Sequence, residues 1–408
     1  MADVTTEGKT HFISPQLLKR LNYQTPIGKF FAEATYLSRR TEPDSLDFTL
    51  GYSHEMPHPG FVEALKRWSV PQNQGWYSYK GNILESQLTV SRTLQDKRGL
   101  SILPEDISMT NGTMVGLAIC LRMLAGEGDE VILLSPPWFG YKSLVYLTGA
   151  VPVSVPVDTN TFDLDLQAIA AAITERTRAI IVNSPHNPTG KIFSATALQG
   201  LAEILTEASE RYGKPIYLIS DEAFSSVVFD NRSCPSPTQF YPFSFLVYGY
   251  SKSLMAPGQR IGYIALPPTM PNREEIRKII STLQGSAFGW CYPSVLMQYA
   301  LEDLEQLINT EHLQKKRDLM VKALRDMGYK LRTPDGTLFL LVRSPWQDDC
   351  AFAELLANYN VFVLPGTPQE IPGYFRVSLT ANEEMISRAL PQFQAAMEYA
   401  KTHKTLQH

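Results

Sequence analysis

Cysteine is scarce in this sequence, and its spacing excludes the sites that cysteine usually builds. Only four of the 408 residues are cysteines, at Cys120, Cys234, Cys291 and Cys350, and no two form a Cys-x-x-Cys pair. Disulfide frameworks and structural zinc sites both depend on cysteines at short, repeated spacings. We therefore expect neither a disulfide framework nor a metal site, and we expect a reducing, cytoplasmic environment.

A strong excess of charge and a long apolar run are also missing. The 37 lysine and arginine residues nearly balance the 41 aspartate and glutamate residues, which gives a net charge of −4. Proteins that bind nucleic acid or anionic membranes usually carry a strongly basic surface. A membrane span needs roughly 20 apolar residues, and no stretch approaches that length. We expect a soluble protein without nucleic-acid or membrane partners.

The length of the chain and the order of its apolar runs indicate two units. At roughly 100–200 residues per domain, the 408 residues suffice for two domains. From about residue 105 to 270, short apolar runs alternate with helical patterns, which is typical of a mostly parallel sheet covered by helices. The predicted strands of this α/β unit are 130–135, 150–155, 178–183, 215–220, 245–250 and 262–266.

A smaller α+β unit is predicted after about residue 270. Long helical stretches, roughly 272–328, come first, and a closing helix begins at Glu383. Pro391 either kinks this closing helix or opens a second one. The predicted strands between these helices are 337–342, 360–365 and 374–379. A helical run around 15–37 has no strand partner nearby, so we expect it to pack on this unit or on another subunit.

One lysine is notable for its surroundings. Lys252 follows an apolar strand in the segment YGYSKSLMAPGQRIGY, and Arg260 lies eight residues further on. Most lysines at strand ends are solvated surface residues. An amine that forms an imine, by contrast, has to be desolvated and close to other cations to be nucleophilic at neutral pH. Lys252 is therefore a candidate nucleophile, with Arg260 as its cationic neighbour.

Two polar residues follow other predicted strands. Asp221 ends the strand in ISDEAF, where its carboxylate could pair with a protonated ring nitrogen or simply cap a helix or turn. Asn187 lies in the loop NSPHNPTG, where its amide could donate to a cofactor oxygen or only shape the turn. His186 beside it is predicted to be structural or solvent-facing rather than catalytic.

Three further positions fit a site for an anionic, aromatic ligand. Gly112, Thr113 and Met114 stand at the predicted start of a helix, where free N–H groups and the helix dipole favour a phosphate. Trp138 in SPPWFGY could stack on a ring or be an ordinary core aromatic. Arg376 lies in an otherwise apolar strand, where a buried cation is costly unless a carboxylate binds it.

Taken in order, the motifs NSPHNPTG, SDEAF and SKSLMAPGQRIGY resemble the class I and II aminotransferases of fold type I, which use pyridoxal 5′-phosphate (PLP). The resemblance covers nearly the whole chain. It implies ping-pong transfer of an amino group between an amino acid and a 2-oxo acid. It also implies an α/β fold with a mostly parallel, seven-stranded-type sheet in a large domain (51–295), a small α+β domain (1–50 and 296–408), and a homodimer with its active site at the subunit interface.

The resemblance implies roles for individual residues around the cofactor. Lys252 would hold PLP covalently and act as the catalytic base, and Asp221 would pair with the pyridine nitrogen. Asn187 would contact the phenolic oxygen, while Trp138 would stack on the ring. The phosphate would be bound by Gly112, Thr113, Met114, Ser251 and Arg260.

The substrate and the partner subunit would be contacted by other residues. Arg376 would bind the α-carboxylate of the substrate, and Gly51 would line the same site together with Asn187 and Trp138. A tyrosine of the motif GWYSYKG would reach the phosphate of the partner subunit. Tyr77 and Tyr79 are both candidates for this role.

Phe224 departs from the family pattern, which usually has a tyrosine whose hydroxyl contacts the phenolic oxygen. The lost hydrogen bond should raise the pKa of the imine that Lys252 forms, unless Tyr250 or Tyr263 replaces it. Relatives with altered contacts run other reactions, so an elimination, decarboxylation or cyclisation enzyme is the alternative. A PLP-sensing regulator is a distant one.

A second departure is the segment 284–294, QGSAFGWCYPS, which lacks the arginine that dicarboxylate-specific members use. It carries Phe288, Trp290 and Tyr292 instead. This composition predicts a preference for aromatic or large neutral side chains. Packing of these aromatics at a subunit interface would explain them equally well.

Overall fold

The computed structural model describes residues 26–403 of the chain. In this range the strands are β1 (Leu46–Asp47), β2 (Ile107–Thr110), β3 (Glu130–Ser135), β4 (Val151–Pro156), β5 (Thr177–Asn183), β6 (Tyr217–Asp221), β7 (Ser244–Gly249), β8 (Gly262–Ala265), β9 (Lys330–Leu331), β10 (Phe339–Arg343), β11 (Val361–Phe362), β12 (Leu364–Pro365) and β13 (Tyr374–Ser378).

The α-helices of the same range are α1 (Pro26–Glu33), α2 (Pro59–Ser69), α3 (Leu84–Arg98), α4 (Thr113–Leu124), α5 (Gly140–Thr148), α6 (Leu166–Ala172), α7 (Ala195–Tyr212), α8 (Arg273–Thr282), α9 (Val295–Tyr299), α10 (Leu301–Glu305), α11 (Glu311–Met327), α12 (Asp349–Asn358) and α13 (Glu383–Thr402). Their ends follow local chemistry. Asp165 and Ser194 cap α6 and α7 by accepting hydrogen bonds from backbone N–H groups of the first turn.

A seven-stranded sheet of order β2-β8-β7-β6-β5-β3-β4 fills the middle of the chain. Only β8 runs against its neighbours. The prediction of a mostly parallel sheet is therefore confirmed. Because the parallel strands end at one edge, Asn183 of β5 lies in register beside Asp221 of β6.

Helices cover both faces of this sheet. On one face Ile219 of β6 packs in the cluster that contains Leu117 of α4. On the other face the preceding residue, Leu218, packs in the cluster that contains Leu201 of α7. Successive strand residues point to opposite faces, so two covered faces require an unbroken apolar run. The central strands were predictable for this reason.

The C-terminal part forms the predicted α+β unit. Its four-stranded sheet, of order β12-β13-β10-β9, is antiparallel, and β1 pairs separately with β11. The core against α12 and α13 includes the fully buried Phe352, Phe375 and Phe393. Leu37 of the N-terminal segment packs against Phe362. The part of the predicted run that the structure describes, 26–37, therefore packs on this unit, and residues 15–25 lie outside the described residues.

The helical stretches predicted over about 272–328 are present as α8 to α11, whereas the strand predicted at 360–365 is wrong. A π-helical turn (Leu283–Ala287) and an irregular segment separate α8 from α9. Gly289 and Trp290 adopt left-handed backbone there, with φ of 71° and 65°, which ends a right-handed helix. The strand at 360–365 is two strands, since β11 pairs with β1 whereas β12 pairs with β13.

The closing helix begins at Glu383, as predicted. It continues through Pro391 as the single helix α13, so the alternative of a second helix at the proline is wrong. Ile386 and Phe393, on either side of the proline, both pack into the core. β2 was not predicted, because its four residues include the polar Ser108 and Thr110. Within residues 26–403 no helix is both long and apolar enough to cross a membrane.

Candidate active site

A cavity of about 360 Å³ opens at the carboxyl edge of the large sheet, between it and the C-terminal unit. It gathers most of the residues that the sequence singled out. The predicted residues that line it are Gly51, Thr113, Met114, Trp138, Asn187, Asp221, Phe224, Ser251, Lys252, Arg260 and Arg376. Tyr77 and Tyr79 lie outside it.

Lys252 projects into this cavity from the segment after β7. Its Nζ donates a hydrogen bond to the carbonyl oxygen of Gly51 over 2.8 Å. Burial, together with the positive charges of Arg376 and Arg260, lowers the pKa of Lys252 to about 8. A substantial fraction of the amine is therefore neutral near physiological pH, as a nucleophile or base requires.

An anion-binding cradle lies at the start of α4. Gly112 has a φ of 83°, and a Cβ atom there would lie 2.5 Å from Nη2 of Arg260. Only glycine therefore lets the guanidinium approach the helix N-terminus. Arg260 Nη1 donates to Ser251 Oγ over 3.1 Å. The helix N-terminus, the guanidinium and the hydroxyl are chemically suited to a phosphate group.

Asp221 is buried at the end of β6 and receives two hydrogen bonds on its carboxylate. Tyr141 donates its hydroxyl to Oδ2 over 2.6 Å, and the backbone N–H of Ala223 donates to Oδ1 over 3.0 Å. Burial raises the pKa of Asp221 to about 6, although these hydrogen bonds act against the rise. A protonated pyridine nitrogen would favour the ionised carboxylate.

Two asparagines connect Asp221 to Arg376. Asn183 donates its amide to the carbonyl oxygen of Asp221 over 2.9 Å and accepts from the backbone N–H of Asn187 over 2.8 Å. Arg376 Nη1 in turn donates to Oδ1 of Asn187 over 3.2 Å. Because its oxygen is already an acceptor, Asn187 is left with its NH₂ group as the donor for a ligand.

Arg376 is buried, and none of the carboxylates in residues 26–403 forms an ion pair with it. Its Nη2 donates to the carbonyl oxygen of Thr49 over 2.8 Å, and its Cζ lies 3.9 Å from the centre of the Phe339 ring. Within residues 26–403 its Nε has no hydrogen-bond partner. Burial lowers the pKa of Arg376 to about 9, so it stays charged at neutral pH. The guanidinium is thus suited to an incoming carboxylate.

The hydroxyl that is missing at Phe224 is not supplied by Tyr250 or Tyr263. Phe224 lines the cavity and packs edge-on against Phe339, with ring centres 6.0 Å apart. Tyr250 donates its hydroxyl to Glu305 over 2.7 Å, and Tyr263 packs against Tyr248. Neither residue lines the cavity. The expectation that Tyr250 or Tyr263 substitutes for the lost hydroxyl is therefore wrong, because both belong to a separate core.

Trp138 and His186 differ in their relation to the site. Trp138 lines the cavity and contacts Tyr141 edge-on, with ring centres 5.3 Å apart. His186 is buried outside it, with Nδ1 2.9 Å from the hydroxyl oxygen of Thr189. Burial lowers the pKa of His186 to about 4, so the ring is neutral. The structural role predicted for His186 agrees with this environment.

The sequence reasoning missed Tyr141, Asn183 and Tyr52, all of which line the cavity. Tyr141 and Asn183 had a signal, because they lie in the same motifs as Trp138 and Asn187. In the described residues no group of three or more His, Cys, Asp or Glu side chains could hold a metal ion, and the four cysteines are free.

Comparisons with known proteins agree with this site. The family model for class I and II aminotransferases matches residues 57–393. The aspartate/prephenate aminotransferase of Thermus thermophilus is 30% identical over 393 residues, which cover 92% of this chain and 97% of the relative. The aspartate aminotransferase of Thermotoga maritima is 26% identical, with 93% and 98% covered.

Solved structures share the fold. An aminotransferase from Eubacterium rectale superimposes with a TM-score of 0.86 at 26% identity, over 95% of this chain and 99% of the other. Thermus thermophilus aspartate aminotransferase with maleate gives a TM-score of 0.80 at 28% identity, over 93% and 98%. This chain belongs to the class I and II aminotransferases and is a fold-type I, PLP-dependent transferase that acts on an amino acid and a 2-oxo acid.

Proposed function

We propose that the amino acid substrate of this enzyme carries an uncharged, apolar or aromatic side chain. The composition of the cavity wall carries this proposal. Among the described lining residues the only cations are Lys252, Arg260 and Arg376, and each already has a function in the scheme below. The remaining lining is mainly apolar and includes Leu50, Tyr52, Leu117, Phe139, Phe224 and Phe339. A second substrate carboxylate would lose its water there without gaining a partner.

The α-carboxylate of the substrate binds to Arg376 in this scheme. The guanidinium is held by the carbonyl oxygen of Thr49 and by Asn187, and its Nε is the donor that still lacks an acceptor. Neutral acceptors orient the group and leave its charge uncompensated. A carboxylate therefore gains a full ion pair in a desolvated site, which fixes the position of the substrate Cα.

Lys252 moves the proton. The pKa of its amine is about 8, so a fraction of the amine is neutral at physiological pH. Neutral Nζ can accept the proton from the substrate Cα and return it to a neighbouring atom. PLP, when bound, supplies an electron sink for the negative charge left at Cα. Gly51 directs Nζ through its carbonyl oxygen. Asp221 and Tyr141 keep a negative charge beside the pyridine nitrogen, and Asn187 donates to the phenolic oxygen.

The other ends of the cofactor are held by groups of the large sheet. Arg260 and Ser251 bind the phosphate together with the N–H groups that follow Gly112. Trp138 forms one wall of the ring pocket. We also retain the predicted domain limits, 51–295 for the large domain and 1–50 with 296–408 for the small one, because the large sheet lies between these limits.

A homodimer completes this proposal. Tyr79 is 86% exposed, and its ring lies 5.5 Å from that of the half-exposed Trp290. Met114 is also exposed and lines the cavity, so the cavity reaches the surface of the protomer at this residue. The hydroxyl of Tyr77 donates to the carbonyl oxygen of Ser69. We therefore assign Tyr79, and not Tyr77, to the phosphate of the partner subunit.

A donor screen with a fixed set of 2-oxo acids tests the substrate class. The relatives are named for aspartate and prephenate, so aspartate is the informative competitor for phenylalanine, leucine and methionine. We expect kcat/KM for phenylalanine to exceed that for aspartate. The opposite order would contradict the proposal. Conversion of the bound cofactor to its amino form, without release of ammonia or carbon dioxide, separates transamination from the elimination-type alternative, which the comparisons do not favour.

A further inference from the structure

The segment that follows β1 crosses the mouth of the cavity, and we call residues 49–52 the strap. Two of its carbonyl oxygens accept hydrogen bonds from the cavity cations Arg376 and Lys252. Thr49 accepts from Arg376 Nη2, and Gly51 accepts from Lys252 Nζ, each over 2.8 Å. The backbone of the strap packs closely against the Phe339 ring, because a Cβ atom at Gly51 would lie 2.9 Å from Cζ of Phe339. A small shift of the strap would therefore move the hydrogen-bond acceptors of both Arg376 and Lys252.

The strap is tied down by one buried carboxylate. Oδ1 of Asp47 accepts from the backbone N–H and the hydroxyl of Thr49, over 2.9 and 2.5 Å. Its Oδ2 accepts from the hydroxyl of Tyr52 over 2.7 Å. Within residues 26–403 no basic side chain forms an ion pair with Asp47. A buried carboxylate of this kind is retained through its hydrogen bonds, and here these bind both ends of the strap.

Tyr52 is the strap residue that faces both the cavity and solvent. Its side chain lines the cavity and is 38% exposed, while its ring contacts that of His54 at 5.2 Å. An aromatic ring at the mouth offers contact area to the side chain of a substrate whose carboxylate is bound at Arg376. The hydrogen bond to Asp47 restricts the ring to this position.

We propose that Asp47 is a positioning residue that holds the strap, and that Tyr52 thereby forms the outer wall against which the substrate side chain packs. This inference rests on the proposed function, because it assigns the wall of the same substrate site. It adds two residues, distant from the motifs, that determine which side chains are accepted.

Binding of two unreactive carboxylates to the PLP-loaded enzyme tests the wall. Propanoate and 3-phenylpropanoate both carry the carboxylate for Arg376 and lack the amine, and only the second carries a ring. We expect the enzyme to prefer 3-phenylpropanoate by calorimetry. Tyr52→Ala should reduce this preference roughly tenfold, since it removes the aromatic contact. An unchanged ratio of dissociation constants in Tyr52→Ala would overturn the proposal.

A double-mutant cycle tests the positioning by Asp47. Asp47→Asn and Tyr52→Phe each break the same hydrogen bond and should lower the preference for 3-phenylpropanoate roughly three- to tenfold. Because the two changes share one interaction, the double variant should lose no more than the stronger single variant. Independent, multiplying losses would mean that Asp47 does not act through Tyr52, and the proposal would fail.

Two control variants separate positioning from general destabilisation. Asp349 is a buried carboxylate that accepts from Thr367 and Gly373 outside the cavity. Tyr399 is a half-exposed tyrosine on α13. Asp349→Asn and Tyr399→Phe should leave the preference unchanged. An equal loss in Asp349→Asn would attribute the Asp47→Asn effect to stability and overturn the proposal.

The donor screen distinguishes this inference from the proposed function. If aspartate is the better donor but Asp47→Asn and Tyr52→Phe still shift the preference together, the substrate class is wrong and the positioning is supported. If phenylalanine is the better donor and neither variant shifts the preference, the positioning alone is wrong. Should Asp47→Asn fail to fold, Tyr52→Ala and Tyr52→Phe still decide whether the wall exists.

Discussion

The hydroxyl of Tyr141 lies 2.6 Å from Oδ2 of Asp221, and both side chains are buried beneath the ring pocket. The hydrogen bond lowers the pKa of Asp221, whereas burial raises it to about 6. Burial and then the nearby carboxylate of Asp221 raise the pKa of Tyr141 well above its usual value, so the phenol stays a donor. Tyr141 therefore helps to keep Asp221 ionised in a site that would otherwise favour its protonation.

Tyr141→Phe should shift the acidic limb of the pH profile to higher pH. Without the hydroxyl, the pKa of Asp221 rises further. A larger fraction of Asp221 is then protonated at acidic pH, and the activity there falls. A hydrogen bond to a charged group is worth about 1.5–3 kcal/mol, which predicts roughly a tenfold or larger fall in kcat/KM at pH 6. Tyr329→Phe is the control, because it removes another buried hydroxyl, bound to Phe393. Equal profiles for the two variants would contradict this role of Tyr141.

Asp221→Asn should change how the stability of the PLP-free protein depends on pH. The folded state holds the proton of Asp221 up to a pKa of about 6, whereas the unfolded chain loses it near 3.8. The free energy of unfolding should therefore fall as the pH rises between these values. The fall is on the order of 2–3 kcal/mol in the protein with Asp221, and it should be absent in Asp221→Asn. Urea unfolding at pH 4 and pH 7 measures the change in the free energy of unfolding. An equal change with pH in both proteins would contradict the prediction.

Lys252→Ala should abolish the visible absorption of the lysine-bound cofactor and reduce activity more than roughly 10³-fold. The physical reason is the loss of the one cavity amine whose pKa is lowered toward neutrality. Absorption spectra and steady-state rates measure both effects. Lys278→Ala, which alters an exposed ion pair with Glu274 on α8, is the control. A Lys252→Ala enzyme that kept the absorption and the activity would contradict the whole assignment.

The site residues that sequence reasoning found share one physical origin. Lys252, Asp221 and Asn187 each follow an apolar strand, and the carboxyl ends of parallel strands meet at one edge. Apolar runs covered on both faces are visible in a sequence. The position of a polar residue just after such a run is therefore informative.

The residues that it missed depend on contacts between distant segments. Asp47 and Tyr52 lie about two hundred residues before Lys252. The pairing of β1 with β11 and the hydrogen bond from the backbone N–H of Ser378 to Phe48 hold the strap beside the cavity. Tyr141 shows no sign in the sequence that its hydroxyl reaches Asp221. The interruption of α8 also escaped prediction, because the left-handed backbone at Trp290 is unusual for an aromatic residue.

Arg376→Gln should weaken substrate binding and alter Lys252 at the same time. The variant loses the carboxylate-binding charge, so KM for the amino acid should rise roughly a hundredfold or more. It also removes a positive charge that lowers the pKa of Lys252. Capture of PLP by the PLP-free protein needs the neutral amine of Lys252. Because the pKa of this amine rises in Arg376→Gln, the midpoint of the pH dependence of PLP capture should move to higher pH. A raised KM with an unmoved midpoint would contradict the coupling between these two cations.

Phe224→Tyr should restore the hydrogen bond that this chain lacks. Phe224 lines the cavity, and we expect a hydroxyl on its ring to donate to the phenolic oxygen of the cofactor. A donor there stabilises the negative oxygen and should lower the pKa of the lysine-bound cofactor, roughly by one unit for a bond of about 1.4 kcal/mol. Titration of the visible absorption with pH measures the shift. Phe229→Tyr, in the C-terminal core, is the control. If the pKa of the bound cofactor stayed constant or rose in Phe224→Tyr, the missing hydroxyl would not explain the chemistry of this site.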